Sequence, residues 1–179
     1  RAEDEEHDHA VQCNQFMIAD SGHGALIDPG GNLTYNALLM AMQRYFPSKE
    51  LVWLLASHPD PDIIASVNKW FVASPCKVLI SKLWTRFVPH FTTGRDIQGR
   101  IGGIPDEGMD IPLGASKIKA IPAHFMHAEG NFQFYDPISK ILFSGDLGVS
   151  LVDHDVAADP VVDFDAHLPL MEPFHRRYM

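Results

Sequence analysis

Leu54-Leu55-Ala56-Ser57-His58-Pro59-Asp60-Pro61-Asp62-Ile63 ends an apolar run in three side chains able to bind a metal, His58, Asp60 and Asp62. Pro59 and Pro61 alternate with them; each fixes its own φ and holds the preceding residue extended, so the side chains between are presented stiffly from the end of a strand. Two further segments carry the same chemistry. Ile121 to Asn131 holds His124 and His127, and the apolar Ile141-Leu142-Phe143 runs into Ser144-Gly145-Asp146-Leu147-Gly148. Taken singly, a Pro/Asp turn, an isolated histidine and an aspartate in a glycine turn are ordinary structural features. Their order along the chain is what gives them weight.

The order His58-x-Asp60-x-Asp62, then His127, then Asp146 after a strand resembles the metal-ligand order of the metallo-β-lactamase superfamily. Hydrolases of that superfamily carry His-x-His-x-Asp-His. A carboxylate at the third position, as with Asp60, is similar instead to the flavodiiron branch. The closest resemblance is to the smaller oxygen-binding di-iron proteins, which share the site without a flavodoxin module. It runs from about Val11 to Met179. It implies a four-layer αββα sandwich with metals at one edge of the sheets, and His58, Asp60, Asp62, His127 and Asp146 as ligands.

Two departures stand out. Ile63 replaces the histidine that ends the family motif, and no equivalent of the family's last histidine follows Asp146. His154, His167 and His175 are weak substitutes, and none is adopted as a ligand. Met171 to Met179 reads as a helix still in progress, so the chain reads as truncated at its C-terminus. Ile63 is expected to wall the second metal position with apolar surface, with Phe125, Met126 and Phe132 as neighbours. His124 and Asp28 are expected around the ligands rather than among them.

Two imidazoles and two carboxylates without thiolate suit iron or manganese at least as well as zinc. Asp146 has two oxygens and could bridge to a second ion held by Asp62, with the metals about 3.5–4 Å apart. The expected cofactor is therefore two iron ions bridged by oxygen (Fe–O–Fe), with zinc or manganese as alternatives and no flavin in this chain. Adjacent ferrous ions can each give an electron to dioxygen, so such a site binds or reduces it. Three functions follow: a di-iron domain that binds or senses dioxygen or another small diatomic ligand, as part of a larger signalling protein; an oxygen or nitric oxide reductase using an external electron donor; or a di-metal hydrolase. A homodimer is a further expectation.

The remaining sequence must position these groups. At 179 residues, 46% hydrophobic and 21% charged, the chain can bury one sizeable core. Residues 1–10 form an acidic, disordered end and 11–179 one metal-binding domain. A net charge of −9 argues against nucleic acid. Cys13 and Cys76 form no C-x-x-C pair, which argues against a disulfide scaffold or thiolate zinc site. No apolar run approaches the roughly 18 residues of a membrane span and no signal-peptide pattern is present, so cytoplasm is the expected setting.

Alternating and helical apolar spacing predicts strands over Val11–Ala19 and Ala25–Ile27 as a hairpin, a helix over Asn36–Tyr45, and a strand over Leu51–Ala56. It also predicts a helix over Asp62–Ala73, a strand over Cys76–Ile80, and a helix over Ser81–His90 with Trp84 and Phe87 in the core. Thr92 to Gly114 reads as an exposed loop or short β excursion. Ser116–Ile121, Asn131–Tyr135 and Lys140–Phe143 complete the strands, giving an α/β-layered domain.

Overall fold

The computed structural model describes residues 13–94, 97, 99–153, 156 and 159–179. The acidic end at 1–10, residues 11 and 12 of the first expected strand, and His154 lie outside them.

The first sheet has five strands in the order β1-β2-β3-β4-β5: β1 Phe16–Asp20, β2 His23–Ile27, β3 Leu51–Leu55, β4 Lys77–Ser81 and β5 Ile101–Ile104. β1 and β2 form the expected antiparallel hairpin, and β2 through β5 run parallel. The second sheet, β6 Met109–Leu113, β7 Ser116–Pro122, β8 Phe132–Asp136 and β9 Ile141–Phe143, is antiparallel throughout. Along β7 the alternation is clean: Ile118 and Ala120 face inward, and Lys117 and Lys119 face water.

The sheets pack face to face over Ala25, Ile27, Leu55, Leu79 and Ile104 from one and Ile111, Leu113, Ile118, Phe132, Phe134 and Phe143 from the other. The Trp53 indole also bridges them, donating to the Pro112 carbonyl at 2.7 Å. A second apolar core lies between the first sheet and three helices, α1 Tyr35–Met42, the single turn α2 Pro61–Ile64 and α3 Val67–Ala73, with Trp70 at 0% exposure. This two-sheet α/β sandwich is the expected fold class.

Two elements differ from expectation, and the glycine-rich stretch takes the β form of its two expected alternatives. The helix foreseen over Asp62–Ala73 is broken between α2 and α3. The Ile63 carbonyl accepts from Gly30 N at 2.9 Å, while Ser66 donates its backbone N–H to the Gly30 carbonyl at 3.1 Å and its hydroxyl to the Pro29 carbonyl at 3.0 Å. The turn after β2 thus takes over groups that a continuous helix would pair internally.

The helix over Ser81–His90 is a chain of three-residue turns instead, with Trp84 N bonded to the Ser81 carbonyl, Phe87 N to Trp84 and His90 N to Phe87. A spacing of three fits that geometry as well as it fits a helix. Trp84 is half-buried and packs against the helix-side core as expected, whereas Phe87 is exposed.

The glycine-rich 92–114 stretch supplies two strands, β5 and β6. In β5, a Cβ on Gly102 would lie 2.5 Å from Leu79 Cδ2, and one on Gly103 would lie 3.1 Å from the Lys82 backbone, so the glycines permit close strand approach. Arg100 anchors the strand from its first residue's neighbour. It donates to the Phe71, Ser74 and Cys76 carbonyls at 2.7–2.9 Å and lies over the Phe71 ring. Those carbonyls end α3 and lead into β4, so one guanidinium closes three elements together. Arg100→Ala is expected to destabilise the chain by about 2–4 kcal/mol, because it leaves these carbonyls unpaired. Urea unfolding that shows a loss below about 0.5 kcal/mol, the scale of a neutral surface substitution, would contradict this.

Candidate metal centre

The parallel strands β2 and β3 end side by side, which brings Asp28 and the Ser57-His58 pair together at their carboxyl ends, where ligand sites form in such sheets. Ser57 is fully buried. Its backbone N–H donates to Asp28 Oδ1 at 2.8 Å and its hydroxyl to Asp28 Oδ2 at 2.9 Å. His58 Nδ1 lies 2.8 Å from the same hydroxyl oxygen. A serine hydroxyl has one proton, and here it points to Asp28, so His58 Nδ1 carries the hydrogen and donates it to Ser57. His58 Nε2 is then left as a bare lone pair.

Nε2 faces three other donors. It lies 3.5 Å from Asp60 Oδ2 and 3.8 Å from Asp146 Oδ2, and His127 Nε2 lies 3.4 Å from each of the same oxygens. His58, Asp60 and His127 each offer a donor atom within 4.8 Å of the others, and Asp146 lies within 3.8 Å of both histidines, the scale of spacing found among atoms that share one ion. His58 Nε2 is buried and has no hydrogen-bond partner among the described residues. An imidazole nitrogen in that position is costly unless something binds it, so these four residues fit a metal ion.

Each ligand-bearing segment is shaped for the purpose. Asp60 sits extended just before α2, with Pro61 at the first helical position. The loop between β7 and β8 carries His127 at φ 85° and Phe125 at φ 64°, a left-handed conformation that costs non-glycine residues about 1–3 kcal/mol each. Buried Asn131 holds it in place: its side-chain amide donates to the Met126 carbonyl at 2.8 Å, and its backbone bonds to Ala123 and Ala128. After β9, Gly145 at φ 58° passes so close to Ser57 that a Cβ would lie 2.9 Å from its hydroxyl. Only glycine permits that approach to Asp146.

The electrostatics follow from burial among like charges. Burial pushes the Asp28 carboxyl up to about 6 despite its bonds from Ser57. Burial works against charge on His58, but the neighbouring carboxylates of Asp60, Asp146 and Asp28 outweigh it and hold its titration above the usual imidazole value. The nearby His58 ring lowers Asp60, and burial raises Asp146.

The structure brings His58, Asp60, His127 and Asp146 together, with Asp28 behind His58. Asp62 is exposed in the first turn of α2 and does not join the four donors, although its charge is felt at Asp146. Ile63 does not wall the centre. The first turn of α2 turns it inward, 1% exposed, into the helix-side core. Phe125 and Met126 are 76% and 50% exposed on the strained loop, and Phe125 lines a cleft with His124. Phe132 is buried between the sheets and meets the His124 ring edge-on at 5.2 Å. His124 Nε2 bonds to the Asp106 carbonyl at 2.8 Å, and the residue lines a cleft with Lys82, Leu83 and Gly130. His167 lies on α4, Phe164–Tyr178, with His175. Ser57 and Asn131 carry positioning roles that the sequence did not signal, since neither residue type marks itself beside a histidine.

The family described as ODP family beta lactamase matches residues 11–179. Two solved structures of the chemotaxis sensor ODP, one its peroxy diiron species and one its apo state from T. denticola, are 42% and 43% identical to this chain. They cover 95% and 92% of it and 69% and 66% of their own chains, with TM-scores of 0.84 and 0.82. A flavo di-iron protein H90N mutant from Thermotoga maritima, 18% identical, shares the fold with a TM-score of 0.76 over 93% of this chain and 41% of its own. An uncharacterized protein of Methanocaldococcus jannaschii is 25% identical over 133 residues, 74% of this chain. The chain spans about a third of that protein's length, 33%.

Two outcomes test the relay. Ser57→Ala should weaken metal binding about 10- to 100-fold, as loss of a partner that orients a ligating histidine does; competition with a chromophoric chelator that shows unchanged affinity would contradict it. Asp28 binds its proton more tightly in the fold, near 6, than when unfolded, near 3.8. Its contribution to stability is therefore greatest in acid and declines as pH rises through that window, by up to about 3 kcal/mol. The denaturation midpoint of the metal-free chain should fall relative to that of Asp28→Asn between pH 4 and 7, and a flat or rising difference would refute the assignment.

Proposed function

Because the chain belongs to the ODP family of β-lactamase-like domains, we propose that it is a non-heme di-iron domain that binds and senses dioxygen. The observation that carries this reading is the buried, unpartnered His58 Nε2 facing Asp60, His127 and Asp146 across distances that suit one metal ion. In the proposal these four residues hold the first ion. A second ion would draw on the remaining oxygen of Asp146 and on Asp62, which is exposed and close enough for its charge to act on Asp146. A pair of irons in such a site supplies a redox-active binding point for dioxygen.

The protein's own residues set the conditions. Asp28 and Ser57 keep the His58 proton on Nδ1 and present Nε2 to the metal. The carboxylates Asp60 and Asp146 favour a hard, oxygen-rich environment over the imidazole- and thiolate-rich one that selects zinc. Sensing is preferred to turnover because the relative seen at 42% and 43% identity is a chemotaxis sensor. A cytoplasmic setting belongs to the same proposal. Among the described residues no helix is long and apolar enough to cross a membrane.

The test is reconstitution of the metal-free chain with ferrous iron without air, followed by exposure to air. The expected result is two irons per chain, a charge-transfer band on oxygenation, and little sustained oxygen consumption with an artificial reductant. Selective zinc uptake with a featureless spectrum would overturn the reading in favour of a hydrolase. Rapid sustained consumption would replace sensing with reduction.

A further inference from the structure

His127 lacks what His58 has. Its Nδ1 is buried without a hydrogen-bond partner among the described residues, so no relay fixes its ring. Helix α4 stands in that place. Phe174, the buried residue of the helix, stacks on the His127 ring with centroids 5.8 Å apart and planes 21° apart, and Tyr178 meets the same ring edge-on at 6.5 Å.

The next residue, His175, reaches the other side of the centre. Its Nδ1 lies 2.8 Å from the Met171 carbonyl, which can only accept, so Nδ1 carries the proton. Its Nε2 is then an acceptor, and the Gly148 N–H donates to it at 3.0 Å. Gly148, at φ 100°, lies two residues beyond Asp146 in the same turn. A second bond, from Leu151 N to the Leu170 carbonyl at 3.0 Å, fastens the following segment to the same helix. The helix is otherwise lightly held, with most of its residues exposed and Pro169 and Pro173 in its interior.

We propose that His175 is a positioning residue for the metal centre: through Gly148 it fixes the turn that carries Asp146, while the adjacent Phe174 keeps the helix in register on His127. This rests on the di-iron reading only in that the two residues so held are metal donors. His175 touches no donor itself, and its effect passes through the loop.

Cobalt(II) is the probe, titrated into the metal-free chain and followed by its visible ligand-field bands, which report both affinity and coordination geometry. His175→Ala should bind about 10- to 100-fold more weakly and show altered bands. His175→Gln, whose side-chain oxygen falls near the place of Nε2, should restore most of the affinity and the parent spectrum. His175→Asn, whose amide is too short to reach Gly148, should behave like the alanine variant. A folded His175→Ala that binds as the parent does overturns the proposal, as does equal loss in the glutamine and asparagine variants. If the alanine variant does not fold, the glutamine–asparagine comparison decides alone. A parent chain that takes up no cobalt removes the metal-centre reading and this proposal together, whereas uptake by the parent with equal uptake by all variants removes this proposal only.

Discussion

The hydrogen bonds that join Asp28, Ser57 and His58 constrain everything around the centre. A buried carboxylate is unfavourable, and burial pushes that of Asp28 up to about 6. In return it takes both the backbone and hydroxyl hydrogens of Ser57, which leaves the Ser57 oxygen free only to accept from His58. One nitrogen of one imidazole is thereby committed to the protein and the other to whatever occupies the centre. Burying an ionised group for the sake of a defined tautomer is a poor exchange for stability and a reasonable one for binding a metal.

Ser57 is also where the other segments meet. Its carbonyl accepts from Phe132 N at 2.9 Å, which seats the end of the His127 loop and the start of β8 against the end of β3. Gly145 lies against its hydroxyl and delivers Asp146. The two sheets therefore join at the serine that orients His58, and the four donors converge because three chain segments, far apart in sequence, are referred to one buried residue. Helix α4 closes the remaining side, with an aromatic contact to one donor and a hydrogen bond to the loop of another.

The convergence of His58, Asp60, His127 and Asp146 was suggested by the order of three segments along the chain and its resemblance to a family motif, since each segment alone reads as an ordinary turn. The sheets were legible because alternation is a short-range signal. What escaped depends on partners distant along the chain. The break at Ser66 is made by carbonyls of Pro29 and Gly30, and β5 exists because glycines let it approach Leu79 and because Arg100 reaches back to α3. The Trp84–Phe87 spacing satisfied two geometries at once, and the indole bond from Trp84 to the Glu129 carbonyl belongs to a turn against the histidine loop. Ile63 occupies the position of a family ligand, yet the direction of the first turn of α2 sends it into the core, which no spacing rule conveys. Ser57 and Asn131 are common residues whose roles reside wholly in their contacts.

The most direct test of this account is the protonation of the His58 ring in the metal-free chain, read by long-range nitrogen–hydrogen correlation in the nuclear magnetic resonance spectrum of ¹⁵N-labelled protein, at a pH above the raised titration of that ring. The relay predicts a single neutral form with the hydrogen on Nδ1 and a bare Nε2. A ring protonated on Nε2, or an even mixture of the two forms, would mean that Asp28 and Ser57 do not set the donor and that the centre is organised in some other way.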